Sequence, residues 1–193
     1  MNSIIHEIER IVETACATDT NIFGYSIWTH HITQVVVNAR RLAPRFRADR
    51  EVVELAALLH DYVGIKDATL HHDHHIHGPV EAERILRALG YPDAKIALVK
   101  ACIATHRASV RAETRSVEGE CLATADAIAH IEHVPSLLHY VFVQRRMGVD
   151  EGTDWVKQKL RRSWQKISPF IQAEMQEQYD AALKTLTVLE KSA

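Results

Sequence analysis

In "ELAALLHDYVGIKD", Leu55, Leu58, Leu59 and Tyr62 form an apolar stripe, and the helix they imply ends with His60 and Asp61 side by side. An imidazole and a carboxylate beside so apolar a stripe need partners, and one divalent cation satisfies both. A His-Asp pair alone is also what an ordinary capped helix end looks like, so the reading depends on the rest of the chain. "HHITQVVVNARRLA" places His31, Val35, Ala39 and Leu42 on one helical face, so His31 looks inward, whereas His30 shares a face with Gln34, Asn38 and Arg41. "KACIATHR" carries His106 one turn beyond Cys102, on a helix whose Val99 and Ile103 are apolar. "CLATADAIAHI" sets Asp126 among Leu122 and Ala129. An unpaired carboxylate on such a face is costly, which favours ligation over a structural role. His130 and His133, one and two turns further on, read as supporting or surface residues, and Cys102 and Cys121 as core.

A second concentration of imidazoles lies in "LHHDHHIHGPVEAERIL", with His71, His72, His74, His75 and His77 inside seven positions. Composition alone is weak evidence for metal binding. Pro79 after Gly78 suits the first position of a helix, so the tract falls in the longest expected non-helical connection, Val63 to Gly78.

The elements that must position these side chains are helical. Only 7 Gly and 5 Pro occur in 193 residues, and the apolar spacing is helical almost throughout. The spacing predicts an all-α chain with helices near 3–18, 28–42, 50–62, 79–89, 94–105, 117–133, 135–147, 154–167 and 169–189. With 47% apolar residues and no linker or repeat, one domain over 1–193 is expected. The 23 Lys and Arg nearly balance the 25 Asp and Glu, without long single-sign runs, so neither nucleic acid nor a membrane surface is implied as partner. Three cysteines in apolar helical patterns fit a reduced, cytoplasmic protein. The basic residues of "DWVKQKLRRSWQKISPF", Lys157, Lys159, Arg161, Arg162 and Lys166, read as the outer face of an amphipathic helix rather than a cover over a site.

The order H, then HD, then D on helices resembles the HD superfamily of metal-dependent phosphohydrolases. The likeness covers about 28–133, with the remainder as a C-terminal helical extension. It implies that His31, His60, Asp61 and Asp126 ligate one metal. In members with two metals, a histidine before a helix reading "HGxxxAxxIL" and one ending the next helix bind the second, which implies His77 and His106, with Asp61 bridging. The resemblance further implies a small phosphorylated substrate, a nucleotide among the options, attacked by a metal-activated water. Lys66 and Arg107 are the nearest cations for its charge. Relatives reading "HDxGK" carry the lysine three residues after the aspartate, whereas "HDYVGIK" shifts Lys66 by two.

A set of His and Asp donors suits Mn, Fe, Co, Ni or Zn better than Mg. The same ligand set also resembles HD-type di-iron oxygenases, which is the alternative chemistry. A non-catalytic sensor is disfavoured, since no ligand is missing. Oligomeric state, a homodimer included, is left open by the sequence.

Overall fold

The computed structural model describes residues 3–107 and 115–186. Among them there is no strand, and the all-α expectation holds. The helices are α1 (Ile4–Cys16), α2 (Thr33–Phe46), α3 (Arg50–Leu59), α4 (Tyr62–Lys66), α5 (His74–Ala88), α6 (Asp93–Thr105), α7 (Val117–Glu132), α8 (Val134–His139), α9 (Val149–Trp164) and α10 (Pro169–Thr185). The expected end of the last helix, residues 187–189, lies outside the described residues.

Several starts are written in the capping residues. The Ser3 side chain accepts from His6 N, Asp49 from Glu51 N and Val52 N, and Ser116 from Gly119 N. Each cap satisfies amides that the first turn leaves without a partner. Helix α7 is the central rod, buried along most of its length from Cys121 to Ile131. It packs against α2, α3, α6 and α9. Val35, Ala39 and Leu42 of α2, Leu55 and Leu58 of α3, and Val99 and Ile103 of α6 are almost wholly buried around it. Each of these Val, Leu and Ile side chains contributes on the order of 1.5–3 kcal/mol through removal from water. This core fixes the helix ends that carry the candidate ligands.

Two departures from the expected elements bear on function. A π-helical turn, Trp28–Ile32, precedes α2 directly and contains His31. Such turns redirect side chains and occur often at functional sites. The second departure corrects the expected connection from Val63 to Gly78, which is largely helical. Helix α3 stops at Leu59, His60 and Asp61 form a break, and α4 follows. A 3₁₀ turn, Ala68–Asp73, then leads into α5, which starts at His74 rather than at Pro79. Residues 74, 78, 82 and 86 repeat every four positions and are all buried, so α5 presents His74, Gly78, Ala82 and Leu86 to the core. Gly78 permits this approach: a Cβ there would lie 3.0 Å from Ile103 Cγ2.

Candidate metal centre

The helix ends converge so that four histidines and two aspartates meet. His31, His60 and Asp126 form one group and Asp61, His74 and His106 a second, each with donor atoms within 4.8 Å of one another. His31 comes from the π-turn, His60 and Asp61 from the α3–α4 break, His74 from the start of α5, His106 from the end of α6 and Asp126 from the middle of α7.

Asp61 stands between the groups. Its Oδ2 is 3.4 Å from His31 Nε2 and 3.2 Å from His60 Nε2, while its Oδ1 is 3.1 Å from His74 Nε2 and 3.9 Å from His106 Nε2. Asp126 Oδ1 completes the first group, 3.5 Å from His31 Nε2 and 3.9 Å from His60 Nε2. Ligands about 2.0–2.2 Å from one ion are separated from each other by roughly 3–4 Å, so both spacings suit a shared cation.

Ring orientation is set from behind. The Nδ1 atoms of His60, His74 and His106 lie 2.8, 2.6 and 2.6 Å from the carbonyl oxygens of Ala57, His71 and Ile103. A carbonyl can only accept, so each Nδ1 carries the proton and donates, which leaves each neutral ring with its Nε2 lone pair aimed into the site. His74 Nε2 and His106 Nε2 are 3.1 Å apart. Two lone pairs at that distance repel unless a positive charge lies between them.

The donor set fits a metal by an independent observation. Among the described residues, the buried side-chain atoms without a hydrogen-bond partner are His60 Nε2 and Asp126 Oδ1. Buried polar atoms are seldom left so, and both belong to the same group of donors.

Electrostatics follow the geometry. Burial pushes the Asp61 carboxyl up, but the electrostatic pull of His60, together with the His31 and His74 rings set against its oxygens, holds it well below the usual carboxylate range. Burial also opposes ionisation of Asp126, and the Lys166 ammonium, then His130, His31 and His60, outweigh it and keep that carboxyl well below its ordinary value. Burial, with the His60 and Lys166 charges, drives the His106 ring well below the usual histidine value, so it stays neutral. For His60, burial opposes protonation but Asp61 draws the ring upward. A proton and a cation therefore compete for His60 Nε2.

The two groups open into a cavity of about 580 Å³. Arg107, Arg145, Lys159, Arg162 and Lys166 line it, with Phe23, Tyr140 and Trp155 as aromatic walls. Phe23 and Tyr140 have ring centroids 5.3 Å apart, and Tyr140 and Trp155 5.6 Å. Lys166 is buried and ion-paired to Asp126 Oδ2. His130 is buried as well, stacked 4.8 Å from His31, with Nδ1 3.3 Å from Ser163 Oγ.

Most of the residues singled out from the sequence lie here: His31, His60, Asp61, His106 and Asp126 within the two groups, and Arg107 on the cavity wall. Arg107 donates to His72 O at 2.6 Å, which ties the histidine tract to the rim. His77 and Lys66 do not. His77 is exposed and lines a different surface depression together with Lys66 and Glu81. Lys66 Nζ is 3.1 Å from Glu81 Oε1. The reason is the early start of α5, which puts His77 on its solvent side and His74, four residues before Gly78, on the buried side. Extending the Gly78–Ala82–Leu86 face backward by one turn would have selected His74.

The C-terminal segment is also corrected. Lys159, Arg162 and Lys166 face the cavity alongside Trp155 rather than forming only an outer basic face. Cys102 and Cys121 are buried, and burial raises both thiols to about 12, so they are inert core groups.

An all-α scaffold whose helix ends gather His, His-Asp and Asp around an open cavity defines a class of metal-binding helical domain. The HD domain family profile matches residues 28–131, more than half of the chain, and the protein belongs to that family. Two solved structures share the fold. One, from Bacillus subtilis, is YpgQ in complex with ADP, at 20% identity and TM-score 0.68, covering 94% of this chain and 93% of that one. The other is described as a predicted HD superfamily hydrolase from an uncultured Thermotogales bacterium, at 24% identity and TM-score 0.56, covering 89% and 91%. No curated protein sequence matches. No helix among the described residues is long and apolar enough to cross a membrane.

Proposed function

We propose that this protein is a metal-dependent phosphohydrolase that uses water to cleave a phosphate ester of a nucleotide or another small phosphorylated metabolite. The observation that carries the reading is Asp61, whose two oxygens face two separate groups of donors at the floor of a cation-lined cavity. His31, His60 and Asp126 would hold one divalent ion and His74 and His106 a second, with Asp61 shared between them. Transition-metal ions bound there supply a water of lowered pKa and offset the charge of the phosphoryl oxygens.

The chain's own residues do the rest. The backbone carbonyls of Ala57, His71 and Ile103 fix the tautomers and orientation of His60, His74 and His106, so the donors are arranged before an ion arrives. Arg107, Arg145, Lys159 and Arg162 line the path that an anionic substrate takes to Asp61. Their charges bind phosphate oxygens and draw anions into the cavity. Phe23, Tyr140 and Trp155 offer apolar faces on which a planar base would stack. The volume lies within the usual range for a small-molecule site. The ADP held by the Bacillus subtilis protein and the hydrolase description of the Thermotogales protein support the same direction.

The test is a screen of nucleotides and sugar phosphates with the Mn-loaded protein. Release of phosphate or pyrophosphate that a chelator abolishes supports the proposal. Consumption of dioxygen by the iron-loaded protein, without phosphate release, assigns it instead to the oxygenase chemistry that the same donor set allows.

A further inference from the structure

The buried ammonium of Lys166 is a feature of the centre that the ligand set does not absorb. Its side chain is 6% exposed and its ion-pair partner among the described residues is Asp126 Oδ2. Positive charge is already abundant at the cavity. Asp61 and Asp126 are its lining carboxylates, against Lys159, Lys166, Arg107, Arg145 and Arg162. Placing one more cation against Asp126 is therefore opposed by the charge already there, and the nearest of those charges sits on the carboxylate itself.

The backbone that carries Lys166 is held firmly. Lys166 N donates to Ser163 O at 2.9 Å, Ser168 N to Thr124 Oγ1 at 3.3 Å, and Ile167 and Ile171 are buried beside them. The four-carbon stem is not so constrained, since lysine is a point charge on a flexible chain with three rotatable donors. Lys166 can thus change the partner of its ammonium without moving α9 or α10. Asp126 presents its other oxygen, Oδ1, to His31, His60 and His130 without a hydrogen-bond partner.

We propose that Lys166 is a resident counter-ion that competes with the divalent cation for Asp126 and, once displaced, becomes an anion-binding group of the same cavity. This rests on the reading of His31, His60 and Asp126 as a metal site. Before loading, Lys166 neutralises a buried carboxylate whose other oxygen has only imidazole rings against it, and leaving that charge uncompensated in the interior is costly. After loading, the ion satisfies Asp126, and the ammonium, surrounded by cations, gains most from an anion. Metal and anion then favour each other's binding, by equal factors in the two directions.

The experiment is calorimetric titration of the metal-free protein with Mn, and of the Mn-loaded protein with inorganic phosphate, for the parent, Lys166→Met and Lys166→Arg. Lys166→Met is expected to bind Mn about tenfold more tightly, as removal of a like charge beside the incoming ion requires, and to bind phosphate several-fold more weakly. Lys166→Arg keeps the charge and can grip the carboxylate with two donors, so its Mn affinity is expected to be no higher than the parent's. Lys166→Met with unchanged or weaker Mn affinity, or unchanged phosphate affinity, overturns the proposal. Should Lys166→Met fail to fold, an arginine variant that binds Mn more tightly than the parent overturns it equally. A parent protein that binds no Mn at all refutes the metal-site reading instead, which separates the two failures.

Discussion

Replacing His74 by alanine separates the two groups of donors. His74 Nε2 lies 3.1 Å from Asp61 Oδ1 and 3.1 Å from His106 Nε2, so the change leaves one group with Asp61 and His106 alone. Loss of a residue that merely orients a ligand costs roughly 10–100-fold in metal affinity, so loss of the ligand itself is expected to cost at least about 100-fold. At about 1.4 kcal/mol per tenfold, that is close to 3 kcal/mol. The metal-free protein responds differently, because the substitution removes one of two lone pairs that face each other. Its melting temperature is expected to fall far less than burial of the ring suggests. His77→Ala is the control: that side chain is exposed beside Lys66 and Glu81, and its loss is expected to leave metal content unchanged. Elemental analysis of the purified variants, Mn titration calorimetry and thermal melts of the metal-free proteins read the three quantities. Retention of full metal content by His74→Ala, with loss in His77→Ala, refutes the assignment of the α5 face.

Three further outcomes follow from the same geometry. Free metal at about 100 times its dissociation constant is expected to stabilise the protein by about 2.7 kcal/mol, which raises the melting temperature by roughly 5–10 °C and is reversed by a chelator. A melting curve indifferent to metal contradicts the orphaned donors. Metal affinity is expected to fall with pH, because Asp61 raises the His60 ring above its ordinary ~6.5 and an ion must then displace a proton at lower pH. Titrations at about pH 6 and about pH 8, in buffers of different ionisation enthalpy, are expected to show weaker binding and more protons released at the lower value. Gly64→Ala is expected to weaken metal binding while the protein stays folded, at a stability cost of about 1–3 kcal/mol. A Cβ at that position would stand 3.2 Å from His71 Cα, and His71 O holds His74 Nδ1. Calorimetry and circular dichroism of the variant check both halves.

The sequence made His31 legible because Val35, Ala39 and Leu42 fix the phase of its helix, and the structure buries it while leaving His30 exposed. Asp126 was legible for a similar reason, as a carboxylate flanked by Ala125 and Ala127 and set among Leu122 and Ala129 along α7. His74 was hidden by Gly78 and Pro79, which look like a helix start. Helix α5 instead accepts the proline six residues in, at the loss of a backbone hydrogen bond. Lys159, Arg162 and Lys166 were hidden by the usual rule that a basic helix face is solvated. Buried Gly152, Val156, Leu160 and Ser163 mark the packed face of α9, and Trp155, Lys159 and Arg162 lie on its flank, where only the tertiary arrangement decides between solvent and cavity. The His-Asp break itself needed both levels: its residues were evident, but the continuous helix expected to Tyr62 would not have turned Asp61 between the two histidine pairs.

The central claim is attack of water on phosphorus at the Asp61 site, and isotope transfer tests it most directly. A phosphorylated substrate found in the screen is turned over by the metal-loaded protein in water enriched in oxygen-18, and the released phosphate is weighed by mass spectrometry. The account predicts one solvent oxygen in the product phosphate, no consumption of dioxygen, and no product from Asp61→Ala. Phosphate without solvent oxygen, or an organic product carrying oxygen from labelled dioxygen, contradicts it.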